Sequence, residues 1–175
     1  MSAGVREGSG GNIGAGAARD WYFEDFQPGQ EIDLGQRTVS EQEIIAFATA
    51  FDPQPFHVDR EAAAGSIYGG VIASGWHTCA MMMRMVVDGM RFAASSMGSP
   101  GLDGVRWLLP VRAGDTLALR HVTKAVKASR SKPDRGVVWT SWIATNQRGE
   151  TVCTIDGMAM FLRRPAEGEG ALAKC

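Results

Sequence analysis

Asp52 and His57 stand five positions apart in the segment Phe51-Asp52-Pro53-Gln54-Pro55-Phe56-His57, with two prolines between them. A carboxylate and an imidazole facing one cavity are what proton transfer to and from a water molecule needs near neutral pH. Asp52 precedes a proline, which pushes it out of the helical region. Pro53 and Pro55 lack amide donors, so the stretch they bound is expected to be a stiff, non-helical turn. Fully extended, the five residues would span roughly 17 Å. A turn that folds the segment back brings both side chains to one small site. The same residues also suit a helix-stop loop, in which Asp52 caps a backbone amide and His57 is a satisfied, half-buried side chain. On this segment alone both readings stand.

The elements that deliver this pair are legible on either side of it. Ser40-Glu41-Gln42-Glu43 forms a capping box, in which the Ser40 hydroxyl accepts the Glu43 amide and Glu43 reaches back. Ile44, Phe47, Ala48 and Phe51 recur at helical spacing, which predicts a helix over 41–51 that Pro53 stops. That helix hands the chain directly to Asp52. Residues 58–70 read as irregular, ending in Tyr68-Gly69-Gly70. The longest helical candidate then covers 76 to about 90, apolar on nearly every side and rich in methionine, and such a helix is expected to be buried. Ser74 is a candidate N-cap for it. Gly75 would let a ligand approach a helix start, whose first amides have no internal partner and carry the positive end of the dipole. A carbonyl oxygen placed there would be polarised, while ordinary capping explains the same two residues without a ligand.

The rest reads as sheet. A weak strand is expected over 30–39, after a short apolar lead-in at 21–26. Further strands are expected over 104–112, 116–127, 137–145 and 151–163, with Pro110 marking an edge or bulge and Gly157 suggesting a bulge. The order predicts an α+β domain with helices packed on one face of an antiparallel sheet. The glycine-rich stretch 1–19 has no apolar core of a signal peptide and is expected to be a disordered leader; 165–175 reads as a flexible tail. The folded unit is then 20–164.

A formal net charge of -1 provides no global field for nucleic acid or an anionic membrane, and no apolar run reaches membrane-spanning length. Cys79, Cys153 and Cys175 are three in number and widely spaced, which argues against a disulfide framework or a zinc site and favours a reducing, cytoplasmic compartment. Cys79 and Cys153 read as inert core residues. His77 reads as packing or capping on the long helix, and His121 lies in a strand without a partner nearby in sequence.

Three separated motifs then resemble one family, the MaoC-like acyl dehydratases, which include the (R)-specific enoyl-CoA hydratases of the hot-dog fold. Asp52, Pro55 and His57 fall on the Asp, Pro and His of that family's Gly-Asp-x-Asn-Pro-(aliphatic)-His motif. Tyr68-Gly69-Gly70-Val71-Ile72-Ala73-Ser74-Gly75 is similar to its aromatic-Gly-x-x-Ile-Ala-His-Gly entry to the central helix, and Pro110-Val111-Arg112-Ala113-Gly114-Asp115 to its Pro-Val-x-x-Gly-Asp turn. The chain departs from the pattern at Phe51 (Gly in the family), Gln54 (Asn) and Ser74 (His). It departs again at Met83, eight residues past the helix glycine, where the hydratases can carry a serine that binds the catalytic Asp.

The resemblance implies a single hot-dog domain, an antiparallel sheet wrapped around a long central helix, and a homodimer with each active site near the subunit interface. It implies reversible hydration of a trans-2-enoyl thioester by Asp52 and His57, with coenzyme A thioester as substrate and neither cofactor nor metal. Gly75, Ser74 and Gln54 become candidates for oxyanion or substrate binding, and Phe51, Trp76 and Met81 for an acyl pocket. Arg130, Lys132 and Arg135 are candidates for meeting coenzyme A phosphates, against the alternative of a solvated charged loop. Two other functions share the fold. A thioesterase would need a carboxylate on the long helix, where Asp88 is the only acid, and a binding protein would hold acyl-CoA without chemistry.

Overall fold

The computed structural model describes residues 20–166. The leader expected over 1–19 and nearly all of the tail, Cys175 included, lie outside the described residues. The elements are β1 (Glu31–Thr38), α1 (Glu41–Phe51), α2 (Pro55–Val58), α3 (Arg60–Ala64), α4 (Gly75–Gly89), β2 (Leu102–Trp107), β3 (Thr116–Ala128), β4 (Arg135–Thr145) and β5 (Thr151–Leu162). The strands form one sheet in the order β1-β3-β4-β5-β2, antiparallel throughout, so β1 and β2 are its edges. The sheet wraps over α4, which packs against β1, β3 and β5. This is an α+β hot-dog domain.

The core lies between α4 and the inner sheet face. Met81, Met82, Met85 and Val86 of α4 meet Leu117 and Leu119 of β3, Val138 and Ala144 of β4, and Cys153, Ile155 and Phe161 of β5. The apolar lead-in contributes Trp21, Phe23 and Phe26 to the same core. At roughly 1.5–3 kcal/mol for each large apolar side chain buried, this layer is the main force holding α4 under the sheet.

Four local expectations change. The long helix is buried on one face only, because Trp76, Met83 and Val87 are exposed by 59%, 48% and 46%. The strand expected to run to 112 ends at Trp107, and Leu108-Leu109-Pro110 leaves the ladder. Gly157 sits in a regular register with β4, and the irregularity falls on β2 opposite it, between Leu102 and Gly104. The stretch 58–70, expected to be irregular, contains α3, and α2 precedes it, starting at the second proline of the turn. Pro55 begins α2 instead of preventing it, since a proline at the first helical position gives up an amide that has no helical partner anyway. Asp59 caps α3 by accepting from the Glu61 and Ala62 amides, and Arg-Glu-Ala-Ala-Ala is a run of strong helix formers.

Candidate active site

The capping box at Ser40 and Glu43 starts α1, as the sequence predicts, and the helix ends on Asp52, whose amide still donates to the Ala48 carbonyl at 2.8 Å. The Asp52 side chain therefore leaves a rigid helix end. Pro53 and the turn to α2 reverse the chain, and His57 comes back to face it. His57 Nε2 lies 3.4 Å from Asp52 Oδ2. The ring is buried, and its Nδ1 lies 2.7 Å from the Ile72 carbonyl oxygen. A carbonyl only accepts, so Nδ1 carries the proton, and in the neutral imidazole Nε2 presents a lone pair to Asp52.

Asp52 is held from both sides. Ser74 Oγ donates to Oδ2 at 2.6 Å and Gln54 Nε2 donates to Oδ1 at 2.8 Å. These two hydrogen bonds, Ser74 first, and then the nearby His57, hold the carboxyl below its usual range despite some desolvation, so it is ionised at neutral pH. With the imidazole neutral, both groups are acceptors and cannot bond each other; protonated, His57 Nε2 instead donates to Asp52. In the neutral state a water that donates one hydrogen to each satisfies both, and its oxygen is left electron-rich.

Ser74 does more than cap. It is completely buried and accepts the Trp76 amide at 3.2 Å, as an N-cap should. A hydroxyl has one donor and two acceptor positions, so the same oxygen caps α4 while its proton goes to Asp52. The partner that relatives are implied to supply from the position of Met83 is supplied here from the helix cap. Met83 itself faces outward.

Gly75 is packed against a side chain of the chain itself. A β-carbon there would lie 2.5 Å from Trp107 Cε2 and 2.7 Å from its Nε1, so the indole of Trp107 rests on the glycine. Gly75 still lines the cleft into which Asp52 and His57 open, about 460 Å³ in volume and walled by Phe56, Tyr68, Trp76, Trp107 and Leu109 among others. Gln54 and Trp76 line it as well. Phe51, 75% exposed, packs on Phe47 outside the cleft, and Met81 is a core residue under the sheet. Arg130, Lys132 and Arg135 do not line the cleft; Arg135 pairs with Asp134.

His77 stacks on Phe47 at 4.7 Å, and burial pushes its pKa down. Burial pushes His121 down to about 4, so it is neutral at pH 7. Asp88 is exposed and bound to Arg84, remote from the cleft. Cys79 is a partly buried free thiol packed against the core, and Cys153 is buried within it. Phe56, Tyr68, Trp107 and Leu109 also wall the cleft, and none was a site candidate from the sequence. Phe56 and Tyr68 lie inside the motifs already quoted and Leu109 adjoins Pro110, while nothing in the spacing of Trp107 points at the helix start.

The family follows from comparison with known proteins. A family-wide sequence model described as the MaoC like domain matches residues 25–145, and the chain belongs to that family. Among its relatives, a MaoC-like dehydratase from Rhodospirillum rubrum of known crystal structure is 40% identical, covering 83% of this chain and 99% of that one with a TM-score of 0.78. Protein MaoC from Klebsiella aerogenes is 32% identical over 122 residues, 67% of this chain and 36% of that protein, so this chain spans about a third of its length. The (R)-hydratase from A. caviae, 21% identical over 81% of this chain and 99% of that one with a TM-score of 0.63, shares the fold.

The double role of Ser74 has two separable readouts. Ser74→Ala is expected to cost about 1 kcal/mol of stability through the lost cap. It should also raise the Asp52 pKa, because the largest influence lowering it is removed. Where turnover depends on the Asp52 carboxylate, the acidic limb of the pH–rate profile should therefore move to higher pH. A melting curve shifted without any displacement of that limb would leave Ser74 as a cap alone.

Proposed function

We propose that this chain catalyses the reversible addition of water to a trans-2-enoyl thioester, giving a 3-hydroxyacyl thioester, with coenzyme A as the carrier. The observation that carries this reading is the pair of facing acceptors, Asp52 Oδ2 and His57 Nε2, 3.4 Å apart at the wall of an apolar-lined cleft. Membership of a dehydratase family supports the same class of reaction.

In the hydration direction the bound water attacks the β-carbon while the pair takes a proton from it and returns one to the α-carbon. Negative charge develops on the thioester oxygen as the carbon–oxygen bond forms. The start of α4 suits that oxygen: helix-start amides lack internal partners, and the Trp76 amide is already taken by Ser74, so the amide of Gly75 is the donor we assign. Dehydration runs the same steps backwards. Water addition is neutral in electrons and needs only proton transfer, so the mechanism calls on no metal or redox cofactor.

The active unit we propose is a homodimer. The exposed apolar positions Met83 and Val87 of α4, and the open outer edge of β2 with its exposed Leu102, are features a second copy would cover. No helix among the described residues is long and apolar enough to cross a membrane. The free thiols of Cys79 and Cys153 suit the reducing cytoplasm. The thioesterase alternative loses its carboxylate, since Asp88 is spent on Arg84 outside the cleft.

Loss of the conjugated enoyl absorbance with a series of enoyl-CoA thioesters tests the reaction. Asp52→Asn and His57→Ala should each lower kcat/KM by about 10² or more while circular dichroism remains native. The double variant should lose little beyond either single one, because both groups act on one water. Wild-type turnover in either single variant would remove the pair from the chemistry. Light scattering after size exclusion should give twice the chain mass, and Val87→Asp should halve it; a monomeric wild-type protein would contradict the assembly.

A further inference from the structure

Trp107 is the last residue of the edge strand β2, and its indole is fixed from three sides. Nε1 donates to the Gly75 carbonyl at 3.0 Å. The ring rests on the Gly75 backbone, so closely that a β-carbon there would lie 2.5 Å from Cε2 and 2.8 Å from Cδ2. Trp76 meets it edge to face, with centroids 5.5 Å apart and planes at 77°. Nevertheless 48% of its surface is exposed, and it lines the same cleft as Asp52 and His57. A large apolar ring held this firmly and left half uncovered in a cleft is a wall available to an apolar ligand, not a mobile lid.

We propose that Trp107 is the specificity-determining residue of the cleft, limiting the length of the acyl group that fits beside Asp52 and His57, and that through its hydrogen bond it also positions the first peptide of α4. This inference rests on the enoyl thioester reading above. If the Gly75 amide receives the thioester oxygen, an indole in contact with Gly75 stands beside the first carbons of the acyl chain. There it favours short, flat acyl groups, which its face can cover, and it occupies the space a longer chain would need. Leu109 and Pro110 continue the same wall beyond β2.

The two roles separate by substitution. Trp107→Ala removes both wall and donor, Trp107→Leu removes the wall's far end with less loss of packing, and Trp107→Phe keeps a ring but not the N–H. The quantity to measure is the ratio of kcat/KM for an eight-carbon to a four-carbon enoyl-CoA. It should rise about 10-fold or more in the Ala and Leu variants, the scale at which one or two methylenes are discriminated in an apolar pocket. In the Phe variant it should stay near the wild-type ratio, while kcat falls for every substrate with KM little changed. An unchanged ratio in a folded Ala or Leu variant overturns the specificity role, and unchanged kcat in the Phe variant overturns the positioning role. Calorimetric binding of saturated butyryl-CoA and octanoyl-CoA makes the test independent of turnover. A shift of the Kd ratio toward octanoyl-CoA in Trp107→Leu supports the wall even if the wild type hydrates nothing, in which case only the hydratase reading fails. Equal ratios in wild type and variant overturn the wall.

Discussion

The hydrogen bond from Ser74 Oγ to Asp52 Oδ2 joins the start of the central helix to the end of α1, and the geometry of the site depends on it. Ser74 lies in a stretch of four residues, 72–75, each of which fixes something different. The Ile72 carbonyl sets the tautomer and plane of His57. The Ala73 amide ties the stretch to Val111 at 2.8 Å. Ser74 caps α4 and holds Asp52, and Gly75 seats Trp107. A displacement of this stretch would therefore move acid, imidazole, helix start and cleft wall together.

The electrostatics follow from that arrangement. Gln54 replaces the residue type expected in the family, yet its amide still reaches Oδ1, so both oxygens of Asp52 carry a donor. These two donors are the largest influences holding the carboxyl below its usual range. In the neutral imidazole, the Ile72 carbonyl keeps the single proton on Nδ1, so Nε2 faces Asp52 Oδ2 across 3.4 Å as a second acceptor. Direct pairing would have closed the site to water.

Much of this was legible in the sequence where a local rule governed the outcome. The Ser40 capping box, the stop at Pro53 and the strand alternation in β3 are short-range signals, and the elements formed as they predict. The Asp52–His57 spacing pointed to the site because the prolines restrict the chain between them. Helix α2 escaped because a proline was read as a breaker at the one helical position that tolerates it. The bond from Ser74 to Asp52, 22 positions away, and the contact of Trp107 with Gly75, 32 away, are tertiary. No periodicity encodes them. The glycine at 75 was legible as a close approach, and the chain's own indole makes one such approach.

In the proposed hydration, one water shared by two groups on the same side of the cleft supplies both the hydroxyl and the proton. Hydration of crotonyl-CoA in deuterium oxide, followed by proton NMR of the 3-hydroxybutyryl product, tests this directly. A single deuterium at the α-carbon is expected, on the same face as the new hydroxyl, since Asp52 and His57 converge on one point. Deuterium on the opposite face, or recovery of crotonyl-CoA unchanged, would contradict it.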